Sequence, residues 1–511
     1  MEKRTPACLS KLELIQGWLQ QNRQYALVAK NANLLGDFMT TSTFAQAVEN
    51  TAAVSTTANG MITYDTSADP VVDLFFAIGA SRGKDITTAF ERAYQHDALS
   101  AMQVLFWARD IRQGAGEREI FRQVLRWLEK NHPASVEANL AHIPEYGRWD
   151  DLLIFSTPRM QLLAADMIIR ALKQGNALAA KWMPRQGAIA NRLRGYINYS
   201  PKAWRKMLVE LTTVVETPMC ARQWQEINYN HVPSVAAARY QKAFNRQDAA
   251  RYAEYKQSLQ TGTGRVNAQA VYPYDVIRSV THGDPEVALA QWQALPNYLG
   301  DNGILPMVDV SGSMSCPVGG QQGKGLTCMQ VAISLGLYIA DKQQGAFRDM
   351  WLTFTRDSHI DILKGDLLAK LQQMRNTMGY NTNLESAFRS ILEVAVQNQL
   401  AADQMPGYLL VLSDMEFDSG TAHGLNVGAW ELARSMFKQA GYEMPRLVWW
   451  NLNARPNATG NSPVRFDQQG SALVSGFSPS IMTSILAAET FTPLSIMQKT
   501  IKSDRYQVIQ V

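Results

Sequence analysis

The feature that most restricts the fold of this chain is a set of short apolar runs that recur after Ile304. They are Ile304 to Val308, Met350 to Phe354, Tyr408 to Leu412, Arg446 to Trp450 and Ala472 to Val474. None alternates polar with apolar residues, so each reads as a strand covered on both faces. Helical periodicity fills the gaps, over 327–341, 363–375, 384–398, 428–440 and 479–488. Buried strands alternating with helices predict a doubly wound parallel sheet, an α/β domain. Such sheets place ligands at the carboxyl ends of their strands, near the point where strand order reverses.

The chain before that point obeys a different pattern. From about Val71 to Glu254, apolar residues recur at three- and four-residue spacing, as in Val71, Leu74, Phe75 and Ile78, or Ile120, Val124, Leu125 and Leu128. Gly114-Ala115-Gly116, Asn131-His132-Pro133 and Thr157-Pro158 punctuate it. This predicts a succession of helices, a solenoid or ring of helical pairs with no fixed-period sequence repeat. Residues 37–69, rich in Thr, Ser and Ala, read as a loosely structured entry segment. The expected division is an entry segment over 1–59, a helical module over 60–300 and an α/β domain over 301–511. Charge follows the same division. Residues 301–511 carry 16 Lys+Arg and 18 Asp+Glu, whereas 1–300 hold an excess of six cations, which suggests two functionally different modules.

Composition excludes several classes. Of 511 residues, 46% are hydrophobic and 18% charged, the balance of a globular chain rather than a disordered one. No apolar run approaches the ~20 residues that span a bilayer, and the first twenty residues lack the apolar block of a secretory signal. Cys8, Cys220, Cys316 and Cys328 form neither a CxxC pair nor a disulfide framework, so free thiols in a reducing, cytoplasmic setting are expected.

Three features fall at the carboxyl ends of the predicted strands or in loops beside them. Asp309-Val310-Ser311-Gly312-Ser313 follows the first strand, Gly379 to Asn383 precedes a helix, and Ser413-Asp414 follows the third strand. Together they offer carboxylate and hydroxyl oxygens, the donors that Mg²⁺ and Mn²⁺ prefer. The competing reading is that Asp-x-Ser-x-Ser merely caps a helix. Asp309, Ser311 and Ser313, with Thr382 and Asp414 downstream, resemble the metal-ion-dependent adhesion site of a von Willebrand factor A domain. That resemblance implies one Mg²⁺ or Mn²⁺ ion held by these residues, with an open position that accepts an acidic oxygen from a partner. Met415 stands where many members have Gly, and Glu416 and Asp418 add carboxylates nearby.

The helical part carries its own likeness. Asp73 to Ala77, Ala108 to Gly114, Gly116-Glu117-Arg118 and Ile143 to Leu152 resemble signature segments of the TROVE (Ro60-like) family and its relatives. Lys181 to Arg185 and Pro233-Ser234 look closer to the DUF2828 branch. The likeness implies a ring of HEAT-like repeats ahead of a von Willebrand A domain, and RNA binding. In Ro60 the ring takes single-stranded ends in its hole and structured RNA on its outer face.

The residues give that expectation separate support. Between Lys181 and Lys206 stand seven cations (Lys181, Arg185, Arg192, Arg194, Lys202, Arg205 and Lys206) and no Asp or Glu, interleaved with Trp182, Tyr196, Tyr199 and Trp204. Clustered cations neutralise phosphate and aromatic faces stack unpaired bases. The plainer reading is a solvated helix surface whose aromatics are core. A second basic group, Arg109, Arg112, Arg118, Arg122 and Arg126, is interspersed with acids and reads as a salt-bridged helix surface. Gly319 to Thr327 lacks Walker A spacing, and no zinc or HExxH pattern occurs. His423 reads as a surface loop residue. The expectation is therefore a non-enzymatic RNA-binding protein, with a metal-dependent module docking an acidic residue of a protein partner as the alternative.

Overall fold

The computed structural model describes residues 54–511 except 213, 269–270, 284, 320–324, 378, 380, 423–424 and 455–460. Most of the expected entry segment, with Cys8, Tyr380 and His423, lies outside the described residues. All described residues belong to one packed unit. Its first element departs from the sequence expectation. Val54–Thr56 (β1) and Ile62–Tyr64 (β2) form an antiparallel hairpin where a loose segment is predicted. Val, Thr, Ile and Tyr favour extended backbone, and Met61, Thr57 and Thr63 are buried against the rest of the chain.

Helices follow from Pro70 to Ala294, in places as predicted and continuing past Glu254. In Arg118–Asn131 the apolar residues Ile120, Phe121, Val124, Leu125 and Leu128 share one buried stripe. Ala98–Arg109 is covered nearly all round, from Ser100 to Arg109, and Asp97 caps it by accepting from the Ser100 amide at 3.0 Å. Successive helices pack on their neighbours. A smaller aromatic cluster, built on Tyr229, Phe244, Tyr252 and Tyr255, holds the stretch from Ile227 to Tyr255 together.

The second half contains a six-stranded sheet. Its strands are Ile304–Asp309 (β3), Met350–Phe354 (β4), Ile360–Ile362 (β5), Tyr408–Ser413 (β6), Arg446–Asn451 (β9) and Ser471–Ser475 (β10). A small hairpin, Gly420–Ala422 (β7) with Leu425–Val427 (β8), lies apart from it. The order is β10-β9-β6-β3-β4-β5, parallel except for the β4–β5 pair. β3 and β6 are buried throughout, as a two-sided sheet requires. The sequence reading misses the β7–β8 hairpin, the edge strand β5, only three residues long, and the helix Pro493–Ile501, whose Ile496, Met497 and Ile501 are buried. β4 lies on one side of β3 and β6 on the other, so the order reverses at β3. The carboxyl ends of β3 and β6 therefore flank the switch point.

Helical part and sheet share one hydrophobic core. The helix Pro70–Ile78 lies against β10. The Gly79 amide donates to Ser475 Oγ at 3.1 Å, Ser475 Oγ donates to the Phe75 carbonyl at 2.7 Å, and Asn451 Nδ2 donates to the Phe76 carbonyl at 3.2 Å. A Cβ on Gly79 would stand 2.8 Å from the backbone of Ser475 and Gly476, so glycine is what permits this approach. No helix among the described residues is long and apolar enough to cross a membrane.

Candidate metal centre and basic surface

Asp309 is the last residue of β3 and Asp414 directly follows β6, so neighbouring strands deliver two carboxylates to one end of the sheet. Asp309 is fully buried and Asp414 is 6% exposed. Asp309 Oδ1 accepts the Ser311 amide at 2.9 Å, and its Oδ2 accepts Ser413 Oγ at 2.6 Å. Ser311 Oγ and Ser313 Oγ stand 3.0 Å apart, and the Ser313 side chain hydrogen-bonds to Asp414. The Glu416 amide donates to Asp414 Oδ1 at 3.3 Å. Four of the five residues singled out from sequence are thus joined in one hydrogen-bonded group.

Thr382 joins through the turn after Asp414. Its hydroxyl donates to the Glu416 carbonyl at 2.6 Å, its amide donates to Asp418 Oδ2 at 3.0 Å, and the Asp418 amide returns a bond to the Thr382 carbonyl at 3.0 Å. The turn is held open by Met415, whose φ of +67° lies in the left-handed region. That backbone explains why glycine suits this position, and a buried methionine there carries the strain instead.

Burial, reinforced by the negative charge of Asp414, pushes the Asp309 carboxyl up to about 7 despite its bonds to Ser311 and Ser413. Burial raises Asp414 too, with Glu416 adding to it. Two buried carboxylates that oppose each other's ionisation, ringed by hydroxyls, suit a hard divalent cation that would neutralise both. Among the described residues no group of three or more His, Cys, Asp or Glu could hold a metal, so such a site would rely on hydroxyl oxygens. The donors present fit Mg²⁺ or Mn²⁺.

One participant left no sequence signal. The turn of the β1–β2 hairpin lies over the site loops. Asn59 Nδ2 donates to Thr382 Oγ1 at 3.3 Å and to the Glu416 carbonyl at 2.8 Å, and the Ala58 amide donates to Glu416 Oε2 at 2.7 Å. Asn461 Nδ2 holds the other Glu416 oxygen at 2.6 Å.

The basic stretch divides in two. Arg185, Lys202, Arg205 and Lys206 are exposed, and Lys206 pairs with Glu210 at 3.6 Å. Lys181, Arg192 and Arg194 are half-buried, and Arg194 Nη1 donates to the Tyr199 carbonyl at 3.1 Å. Tyr196 and Tyr199 face solvent, at 45% and 39% exposure. The tryptophans do not. Trp204 is fully buried with its Nε1 on the Pro184 carbonyl at 3.0 Å, and Trp182 packs under the Arg148 guanidinium at 3.7 Å.

The signature segments of the helical part are largely spent on internal ion pairs. Asp151 takes Arg109 at 2.8 Å and Arg122 at 2.6 Å, while Arg148 pairs with Asp150 at 2.5 Å. Arg109 is 3% exposed, so it is a core residue rather than part of a surface. Asp110 receives Arg505 and the Tyr506 hydroxyl, the latter at 3.0 Å, which docks the segment after the last helix onto the first helices.

Residues 57–157 and 163–305 match the family profile of the domain of unknown function DUF2828, and residues 304–508 match that of DUF7788. An uncharacterized protein, L728, of Acanthamoeba polyphaga mimivirus is 28% identical over 509 residues, covering 87% of each chain. The crystal structure of the Ro (Rsr) protein of Deinococcus radiodurans aligns with 85% of this chain and 99% of its own, at 15% identity and a TM-score of 0.47.

Proposed function

We propose, starting from the match of residues 57–157 and 163–305 to the DUF2828 profile and of residues 304–508 to that of DUF7788, that the chain binds RNA without catalysis. In this reading the helical part is a ring of HEAT-like pairs, and the sheet is a von Willebrand A-type domain with a Mg²⁺ or Mn²⁺ adhesion site. The protein acts in the cytoplasm. The single observation that carries RNA binding is that Arg185, Lys202, Arg205 and Lys206, together with Tyr196 and Tyr199, are exposed within a stretch that holds no acid between 181 and 206. Backbone phosphates would meet the cations, and unpaired bases would stack on the tyrosines at ~1–3 kcal/mol each.

The test is fluorescence anisotropy with a labelled single-stranded oligoribonucleotide over a range of salt. The triple variant Arg185→Glu, Lys202→Glu, Arg205→Glu should lose most of its affinity. Its dependence on salt should flatten by roughly 0.7 for each phosphate no longer neutralised. Unchanged affinity in that variant would overturn the reading.

A second reading has its own observation, the buried pair Asp309 and Asp414 with Ser311 and Ser313. There a cation held by Asp309, Ser311, Ser313, Thr382 and Asp414 would take an acidic side chain of a partner protein as its remaining ligand. The cation supplies an electrophilic site for that oxygen. The residues here fix the donors, with Asp309, Ser311, Thr382 and Asp414 buried and Ser313 open to solvent. Both carboxylates are then committed as donors, which suits adhesion rather than hydrolysis. Partner binding of this kind would require Asp309 and ignore the basic surface.

A further inference from the structure

Cys316 and Cys328 bracket residues 317–327, and their sulfurs stand 3.3 Å apart. A short two-stranded frame holds them there. The Cys328 amide donates to the Cys316 carbonyl at 3.1 Å, the Val318 amide to the Leu326 carbonyl at 2.7 Å, and Pro317 and Thr327 form an antiparallel bridge. Each sulfur is also fixed from a second side. Asn453 Nδ2 donates to Cys316 Sγ at 3.2 Å, and Cys328 Sγ donates to the Leu452 carbonyl at 3.5 Å. Lys84 Nζ bonds the same Asn453 at 2.5 Å, which puts a cation beside the pair. Cys328 is buried as the first residue of the helix Cys328–Lys342, whereas Cys316 is half-buried. A reagent therefore meets Cys316 first.

We propose that Cys316 and Cys328 are a reversible oxidation site, closing to a disulfide when a peroxide reaches Cys316. The Cys316 sulfur attacks one oxygen of hydrogen peroxide and the O–O bond breaks. Cys316 becomes a sulfenic acid, and the departing oxygen leaves as water with the thiol proton. The Cys328 sulfur then attacks Cys316 Sγ, the S–O bond breaks, and a second water leaves with the proton of Cys328. Two thiols are oxidised and one peroxide is reduced. The sulfurs need to close to the ~2.05 Å of a disulfide bond, a short movement from contact distance. A dithiol reverses the step by exchange. The bond would tie the turn Gly312–Ser315 to the helix Cys328–Lys342, because the Cys316 amide already donates to the Ser313 carbonyl at 3.2 Å. The proposal does not depend on a metal being bound.

The experiment uses the full chain, exposed to graded hydrogen peroxide, quenched with N-ethylmaleimide and digested without reduction. Lys324 lies between the two cysteines, so trypsin gives them separate peptides. The expected product is one cross-linked peptide pair, lighter than the two reduced peptides by two hydrogens. It disappears with a phosphine reductant, survives Cys220→Ser and is absent in Cys316→Ser. Exposed Cys220 reports that oxidant was active. The proposal falls if a dose that oxidises Cys220 leaves both Cys316 and Cys328 as maleimide adducts. It falls equally if Cys316 proceeds to a sulfinic acid while Cys328 stays alkylated.

Discussion

Asn59 and Thr382, 323 positions apart in the chain, meet in a hydrogen bond of 3.3 Å. The contact brings the tip of a hairpin that precedes the helical part onto the loops at the carboxyl end of the sheet. Its partners there, Thr382 and the Glu416 carbonyl, belong to the group around Asp309 and Asp414. The hairpin is thus part of the wall of the candidate centre.

Asn59→Ala removes both bonds that Asn59 Nδ2 makes. Each neutral hydrogen bond contributes ~0.5–1.5 kcal/mol, so the variant should lose about 1–3 kcal/mol. Hydrogen exchange should quicken at the amides of the hairpin, including Met61 and Tyr64, and not in β9. Unaltered protection at those amides would refute the contact.

Metal binding would be seen as ligand-linked stabilisation. At a free Mn²⁺ or Mg²⁺ concentration about a hundredfold above Kd, the folded chain should gain roughly 2.7 kcal/mol. Asp309→Ala should abolish that gain in urea titrations with and without the ion. A gain of equal size in the variant would place the ion elsewhere.

Arg505 and Tyr506 dock onto fully buried Asp110. Arg505→Ala leaves that carboxylate without its cation and should cost about 3–5 kcal/mol. Tyr506→Phe removes one hydrogen bond to a charged group and should cost less, ~1.5–3 kcal/mol. Chemical denaturation of the two variants should rank them in that order.

Glu129 supplies a pH dependence with a definite sign. Burial raises its carboxyl, but bonds from Thr157 and Ser156 outweigh that and hold it below its ordinary 4.5. The Ser156 and Thr157 amides lie at 2.8 and 2.7 Å from Oε1. A carboxylate depressed by folding stabilises the native state above its unfolded pKa and loses that contribution as pH falls through the folded one. Glu129→Gln should therefore cost about 1.5–3 kcal/mol at neutral pH, and the gap to wild type should close below pH 4.5. Parallel urea curves at neutral and acid pH provide the measurement.

If bases stack on the exposed tyrosines, Tyr196→Ala and Tyr199→Ala should each weaken single-stranded RNA binding by ~1–3 kcal/mol. Trp204→Phe should leave the RNA affinity of the folded protein unchanged, since the indole is buried beneath the surface. Anisotropy titrations would separate the two outcomes.

The parallel sheet was legible because strands buried on both faces have no polar alternation to hide them, as Ile304 to Val308 and Tyr408 to Leu412 show. Asp309, Ser311, Ser313 and Asp414 were legible for a related reason. A residue that ends a buried parallel strand can only enter the loops at that edge. Asn59 was not legible, because nothing local marks a turn asparagine whose partners lie hundreds of residues away. The hairpin itself was lost among Thr, Ser and Ala, whose composition suggests slack chain unless a surface is waiting to cover it. Trp182 and Trp204 mislead in the opposite direction. Their spacing among cations is shared with exposed Tyr196 and Tyr199, and only tertiary packing distinguishes an indole under Arg148 from a phenol in water.

The seam around Gly79 and Ser475 has a practical corollary for anyone dividing this polypeptide. The two family matches meet near residue 304, which invites cleavage there into separately expressed halves. Each half would then carry a torn apolar face: the fragment with Phe75 and Phe76 would lose the floor that β10 gives it, and the sheet would lose its cover. Aggregation of such fragments would be the ordinary fate of an interior turned outward, and would report nothing about what the intact protein binds.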